Sequence, residues 1–163
     1  MTNDKNIVWS GSPSQVINLN VFAGFAMSVL VYIFNTSFVI VNGNFVQWLL
    51  YSCMIVTGGM SIWSFLVVKN TKYILTKETF VMEYGVLNKE FDTLELYRVK
   101  DYQQSRPLFL RFFKLETDYL ITSDRTNEVL EILAIPTSQR LLETIRTIVE
   151  ELRSAKGVRE IDM

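Results

Sequence analysis

The sequence has no histidine and a single cysteine, Cys53. Without histidine it lacks the usual general base, the commonest metal ligand and any Ser-His or Cys-His nucleophilic pair. One cysteine permits neither an internal disulfide nor a Cys-rich zinc site. Cys53 sits in an apolar run, where it reads as a small packed hydrophobe. The 7 glycines are scattered, and neither a G-x-x-x-x-G-K-[ST] loop nor a G-x-G-x-x-G turn occurs. The expectation is a chain that is not an enzyme and carries no cofactor or metal. The net charge of −1 gives no nucleic-acid footprint.

Charge is also missing by region. From Asn6 to Val68 there is no Asp, Glu, Lys or Arg, whereas 15 basic and 16 acidic residues follow. A soluble domain is about one-quarter charged throughout, so two different solvents are implied. Two apolar runs fill the gap: Val16 through Phe34, with a continuation toward Val41, and Phe45 to Val68. Each satisfies the roughly 20 residues a membrane helix needs. The turn between them falls at Asn42–Asn44 or begins at Asn35. Ser12 is a candidate cap, with Pro13 at the first helical position. Trp9 and Trp48 flank the runs as candidate membrane-interface anchors. Gly24, Ser28, Cys53, Thr57 and Ser61 supply small residues for close helix approach. The connecting loop has no Lys or Arg, while Lys5 precedes the first run and Lys69 and Lys72 follow the second. That bias expects both termini in the cytoplasm.

After Thr71 the pattern becomes short strands: Tyr73–Leu75, Thr79–Tyr84, Val86–Leu96, Val99–Gln103, and a hairpin of Leu115–Thr122 with Glu128–Ile135. Pro136 closes the sheet region. A helix is expected from about Thr137 to Ala155, capped by Thr137 or Ser138. Its apolar stripe is Leu141, Leu142, Ile145, Ile148, Val149 and Leu152. Strands followed by one amphipathic helix imply an α+β domain. The expected division is an N-terminal cytoplasmic segment at 1–15, a two-helix transmembrane hairpin at 16–68, a cytoplasmic domain at 69–155 and a loose tail at 156–163.

Several segments together resemble the bacterial pleckstrin-homology-like (PH-like) domains of membrane-flanked proteins. They are Trp9-Ser10-Gly11-Ser12-Pro13-Ser14-Gln15, Thr71-Lys72-Tyr73-Ile74-Leu75-Thr76-Lys77-Glu78, Tyr84-Gly85-Val86-Leu87, Leu96-Tyr97-Arg98-Val99-Lys100-Asp101, Gln104-Ser105 and the closing helix. The resemblance implies a bent β-barrel of about seven strands capped by a C-terminal α-helix, and it implies little chemistry. Lipid-binding eukaryotic relatives use a basic cluster at the first strand-to-strand loop. Here Thr76-Lys77-Glu78-Thr79 is expected to be that loop, and its one lysine beside an acid is a poor match for a multiply charged headgroup.

The clearest candidate surface is Arg98 to Lys114, where five basic residues and one acid give a net +4. Its cations interleave with Leu108, Phe109, Leu110, Phe112 and Phe113 after Pro107. Lys69, Lys72, Arg106, Phe109, Arg111 and Lys114 are candidate contacts to a lipid surface, each cation contributing about 1 kcal/mol near anionic headgroups. The competing reading packs these aromatics into the core, because three Phe in five residues rarely all face water. Asp118 and Glu150-Glu151 read as solvated faces. Two functions remain open. One is an interaction module anchored at the cytoplasmic face of a bacterial inner membrane. It would dock the lipid surface or a membrane or cytoplasmic protein, including a similar PH-like chain or a second copy. The other is a protective factor against membrane-active bacteriocin-type peptides.

Overall fold

The computed structural model describes residues 6–38, 44–123 and 128–156. Lys5, residues 42–43 of the turn expected at Asn42–Asn44, the hairpin tip at 124–127 and the tail from 157 lie outside them; residues 35–38 are helical, so the connection does not begin at Asn35. The chain divides into two units: Gln15–Lys69, and Met1–Ser14 together with Asn70–Met163.

In the first unit a short 3-10 turn, Gln15–Asn18, leads into helix α1, Leu19–Phe38. Helix α2 spans Asn44–Asn70. Both are long and apolar enough to cross a membrane. The start differs from the expected cap. Ser12 and Pro13 precede the helical residues, and the Ser14 N–H donates to the Ala134 carbonyl at 3.1 Å. Polar side chains face one another along the pair. Asn18 Nδ2 donates to Ser64 O at 2.8 Å, and Gln15 Nε2 to Phe65 O at 3.1 Å. Ser28 Oγ meets Thr57 Oγ1 at 3.0 Å, and Tyr32 meets Tyr51 hydroxyl to hydroxyl at 2.8 Å. In otherwise apolar helices such pairing leaves few polar groups to be desolvated alone.

The second unit begins before the helices. Strand β1, Ile7–Gly11, pairs antiparallel with β2, Lys72–Thr76, with Ser10 opposite Ile74 and Gly11 opposite Tyr73. Residues expected to form a separate N-terminal segment are therefore part of the sheet. The two helices interrupt the domain between its first two strands. The loop Thr76–Thr79 is thus the second connection, not the first. Strands β3, Thr79–Tyr84, and β4, Glu90–Glu95, complete a four-stranded sheet in the order β1-β2-β3-β4. The β3–β4 turn requires Gly85: its φ is +110°, and a Cβ there would lie 1.9 Å from the Asn88 carbonyl oxygen.

Strands β5, Val99–Ser105, β6, Leu115–Thr122, and β7, Val129–Pro136, form a second, three-stranded antiparallel sheet. A five-residue helix α3, Leu108–Phe112, joins β5 to β6. Helix α4, Leu141–Lys156, closes the unit. Thr137 and Ser138 do not cap it. They lie in a 3-10 turn, Thr137–Gln139, followed by Arg140 in the left-handed region at φ 44°. The expected barrel is not closed: among the described residues no strand pairing joins the two sheets. Side chains and α4 link them instead. The Leu133 N–H donates to the Tyr73 hydroxyl at 3.2 Å. Leu141, Ile145 and Val149, one turn apart on α4, are buried in the same core as Tyr73, Leu75, Phe80, Leu96, Leu120 and Ile132.

Trp9 belongs to this packing. Its ring lies over Gly11, is half-buried against the core, and its indole N–H donates to Gln139 Oε1 at 3.0 Å. A membrane-anchoring role for Trp9 gives way to a structural one. Trp48, near the start of α2, is 74% exposed.

Candidate functional site: an exposed aromatic knuckle over a basic pocket

β5 and β6 stay paired until Ser105 meets Thr117. Pro107 then denies the ladder a donor and starts the single helical turn of α3. None of the residues of α3 is buried. Leu108 is 75% and Phe112 85% exposed, and Phe109 and Phe113 are partly exposed with ring centroids 5.6 Å apart. The core-packing reading of this segment is overturned. This exposed apolar cluster is the candidate contact surface.

Lys114 turns the chain back into β6 in the left-handed region, at φ 54°, a conformation unfavourable for a residue with a Cβ. Its carbonyl accepts the Thr137 N–H and the Thr137 hydroxyl, each at 3.0 Å. This lashes α3 to the end of β7. Between them lies a pocket of about 430 Å³ lined by Arg106, Arg111, Phe113, Lys114, Thr137 and Ser138, among others. Arg106 is fixed there by Glu116, which is 1% exposed: Nη2 and Nε both reach Oε2, at 2.7 and 2.8 Å. Among the described residues neither Arg111 nor Lys114 has an ion pair.

Asp118 lies beside this pair and is fully buried, not on a solvated face. Gln104 Nε2 donates to its Oδ1 at 3.2 Å, and Oδ2 has no partner among the described residues. Burial pushes its carboxyl up to about 6, and the nearby Glu116 carboxylate adds to the rise. The Gln104 hydrogen bond and Arg106 oppose it.

Of the candidates read from sequence, Arg106, Phe109, Arg111 and Lys114 are brought together around α3. Lys72 is not among them: it lies in the other sheet, opposite Glu83, and helps hold the Glu83 carboxyl below its usual range after the larger effect of Lys89. Lys69 lies in the last turn of α2, 5.8 Å from the Phe65 ring centroid. Sequence reasoning missed Thr137 and Ser138, which lack any motif, and undervalued Leu108 and Phe112. A larger hollow of about 600 Å³ runs between the β2–β3 turn and α4. Lys77, Glu78 and Glu151 mix its charge.

This end of the domain is also where the chain departs for the hairpin. Ser14 is bonded to Ala134 on β7, and Tyr73, just after the return at Asn70, is bonded to Leu133. The next residues of β7, Ile135 and Pro136, pair with Glu116 and Leu115 at the foot of α3.

Two antiparallel sheets closed by a C-terminal helix, with two long apolar helices inserted after the first strand, fit a PH-like class of protein. The chain belongs to the Bacterial PH domain family, whose pattern matches residues 16–148. The match starts within the first helical turns, so the helices are part of the family pattern, whereas β1 precedes it. No curated protein and no solved structure matches the chain.

Proposed function

We propose that this protein is a membrane-anchored PH-like interaction module, not an enzyme, whose domain rests on the cytoplasmic lipid surface through the α3 knuckle. The observation that carries this reading is the exposed Leu108-Phe112 cluster, ringed by Arg106, Arg111 and Lys114, at the end from which the chain departs for α1 and α2. In the most apolar 18-residue stretches of those helices only 6% and 11% of residues are buried. A core helix of a soluble protein would be mostly buried, so lipid is the favoured surrounding. The hairpin's facing polar groups are spent on pairing its own helices, which favours an anchor over a receptor for a membrane-active peptide. The lysine bias around the helices supports the cytoplasmic side.

The energetics suit orientation better than recruitment. Fully burying a Leu or Phe side chain contributes about 1.5–3 kcal/mol, and each nearby cation about 1 kcal/mol on an anionic surface. Alone, such a contact is weak. A domain already tethered at the membrane meets the surface at high effective concentration, and the same contact then holds it down.

The test is depth. A bimane label at Phe112→Cys, in a Cys53→Ala chain reconstituted into anionic vesicles, is expected to be quenched by acyl-chain nitroxides and shielded from aqueous iodide. A label at Leu87→Cys, on the β3–β4 turn, should show the reverse. Equal iodide access at both positions would reject the contact.

A further inference from the structure

We infer that the pocket beneath α3 binds the phosphate of an anionic phospholipid headgroup, so that the knuckle recognises a lipid as well as touching the bilayer. This rests on the proposed membrane contact and adds a ligand to it. Three cationic side chains, Arg106, Arg111 and Lys114, converge on one concavity. The acid nearest them, Glu116, is committed to Arg106 through Oε2. That ion pair orients the guanidinium and leaves its remaining N–H groups for another acceptor. Arg111 and Lys114, without ion pairs among the described residues, leave the pocket with uncompensated positive charge. Ser138 adds a hydroxyl.

A phosphate fits this donor set. It offers several acceptor oxygens to converging charge-assisted donors, and guanidinium groups bind it in a fork geometry. The pocket's volume lies in the range of small-ligand sites. Its apolar wall is Phe113, Leu115 and Pro136, and the Phe113 ring meets that of Phe109 on the exposed knuckle at 5.6 Å between centroids. A lipid held there by its phosphate would have its glycerol and acyl chains leave along an apolar path, which a free anion would not use. The left-handed Lys114 belongs to the same construction, because its conformation both aims the chain back under α3 and ties the pocket floor to Thr137.

The experiment uses the full chain in phosphatidylcholine nanodiscs, read by the amide shifts of Lys114, Thr137 and Ser138. Phosphatidylglycerol is titrated into the bilayer in one arm and inorganic phosphate into the buffer in the other. Saturable shifts with phosphatidylglycerol are expected, with an apparent affinity about tenfold weaker in Arg111→Gln/Lys114→Gln. Arg106 is left intact because it also neutralises Glu116. No saturable shift with the lipid, or an unchanged affinity in the double variant, would overturn the inference. Saturation by inorganic phosphate with no response to lipid would overturn its lipid part. Leu108→Ser, in the chain labelled at Phe112→Cys, separates the two readings: depth is expected to be lost while the double-glutamine effect on shifts persists. A pocket that fails in a chain whose Phe112 label still lies deep would leave surface docking standing without a headgroup site.

Discussion

Asp118 shows how far a single residue's role depends on its neighbours across the sheet. Its cross-strand partner is Ile132, and that of Glu116 is Ile135; both isoleucines are fully buried core residues. Directly opposed residues share a face, so both acids point inward. The run Leu115-Glu116-Thr117-Asp118-Tyr119-Leu120 holds three polar residues in a row, as a solvated strand would, and nothing in it reveals the irregular register between Glu116 and Asp118. The energetic consequence has a definite sign. The folded-state carboxyl of Asp118 is raised from about 3.9, the ordinary value, to about 6, so folding favours its proton. The stability this contributes is fully present below the ordinary value and is lost as pH rises through about 6. A rise of this size is worth on the order of 3 kcal/mol. Asp118→Asn keeps the shape and removes the charge. In thermal melts of the full chain in detergent, the variant is expected to gain on the parent between pH 4.5 and 8. If the difference between the two is the same at both pH values, the buried-carboxylate account is wrong.

At the scale of elements, the strands at 72–76, 79–84 and 115–122 were legible because β-branched and aromatic residues cluster there between turn residues, although at 115–122 polarity did not foretell burial. Helix α4 was legible from its apolar stripe, though not its start, because a left-handed Arg140 separates the polar turn from the helix. α3 was not legible. A five-residue helix is too short to show a period, and its aromatic content resembles core. What decides its exposure is the length of the β5–β6 pairing, which leaves α3 beyond the sheet edge, and pairing length is a tertiary property. The two elements therefore answer differently to truncation. Ile145→Ala on α4 removes fully buried methyl and methylene groups and should cost about 2–5 kcal/mol. Phe112→Ser on α3 removes a side chain that is 85% exposed and should change stability little. Melting temperatures in detergent test the contrast. Comparable destabilisation by Phe112→Ser would mean that α3 is a packing element and not a contact surface.

For the whole molecule, the decisive feature is the insertion of both long helices between β1 and β2. The charge-free stretch marked the helices in the sequence, but β1 stayed hidden, since its five residues are separated from their partner by the entire hairpin. The pairing restricts topology independently of any lysine count. Strands that share a ladder lie on one side of a membrane, so the number of crossings between them is even, and two candidate helices satisfy that. It also connects the helical hairpin to the domain at two adjacent strands, β1 and β2. A cross-strand disulfide tests this directly. Ser10 and Ile74 are paired residues, and the Cα separation of opposed residues in an antiparallel ladder, about 4.5–5.5 Å, suits a disulfide. In a Cys53→Ala background, Ser10→Cys/Ile74→Cys should oxidise to an intramolecular link in native membranes, with Ser10→Cys/Leu87→Cys remaining reduced. In sealed vesicles, both cysteines should react with a membrane-impermeant maleimide from the same side, and the chain should resist alkaline extraction. Labelling from opposite sides would break the ladder between β1 and β2, and with it the proposal that one sheet holds both ends of the anchor.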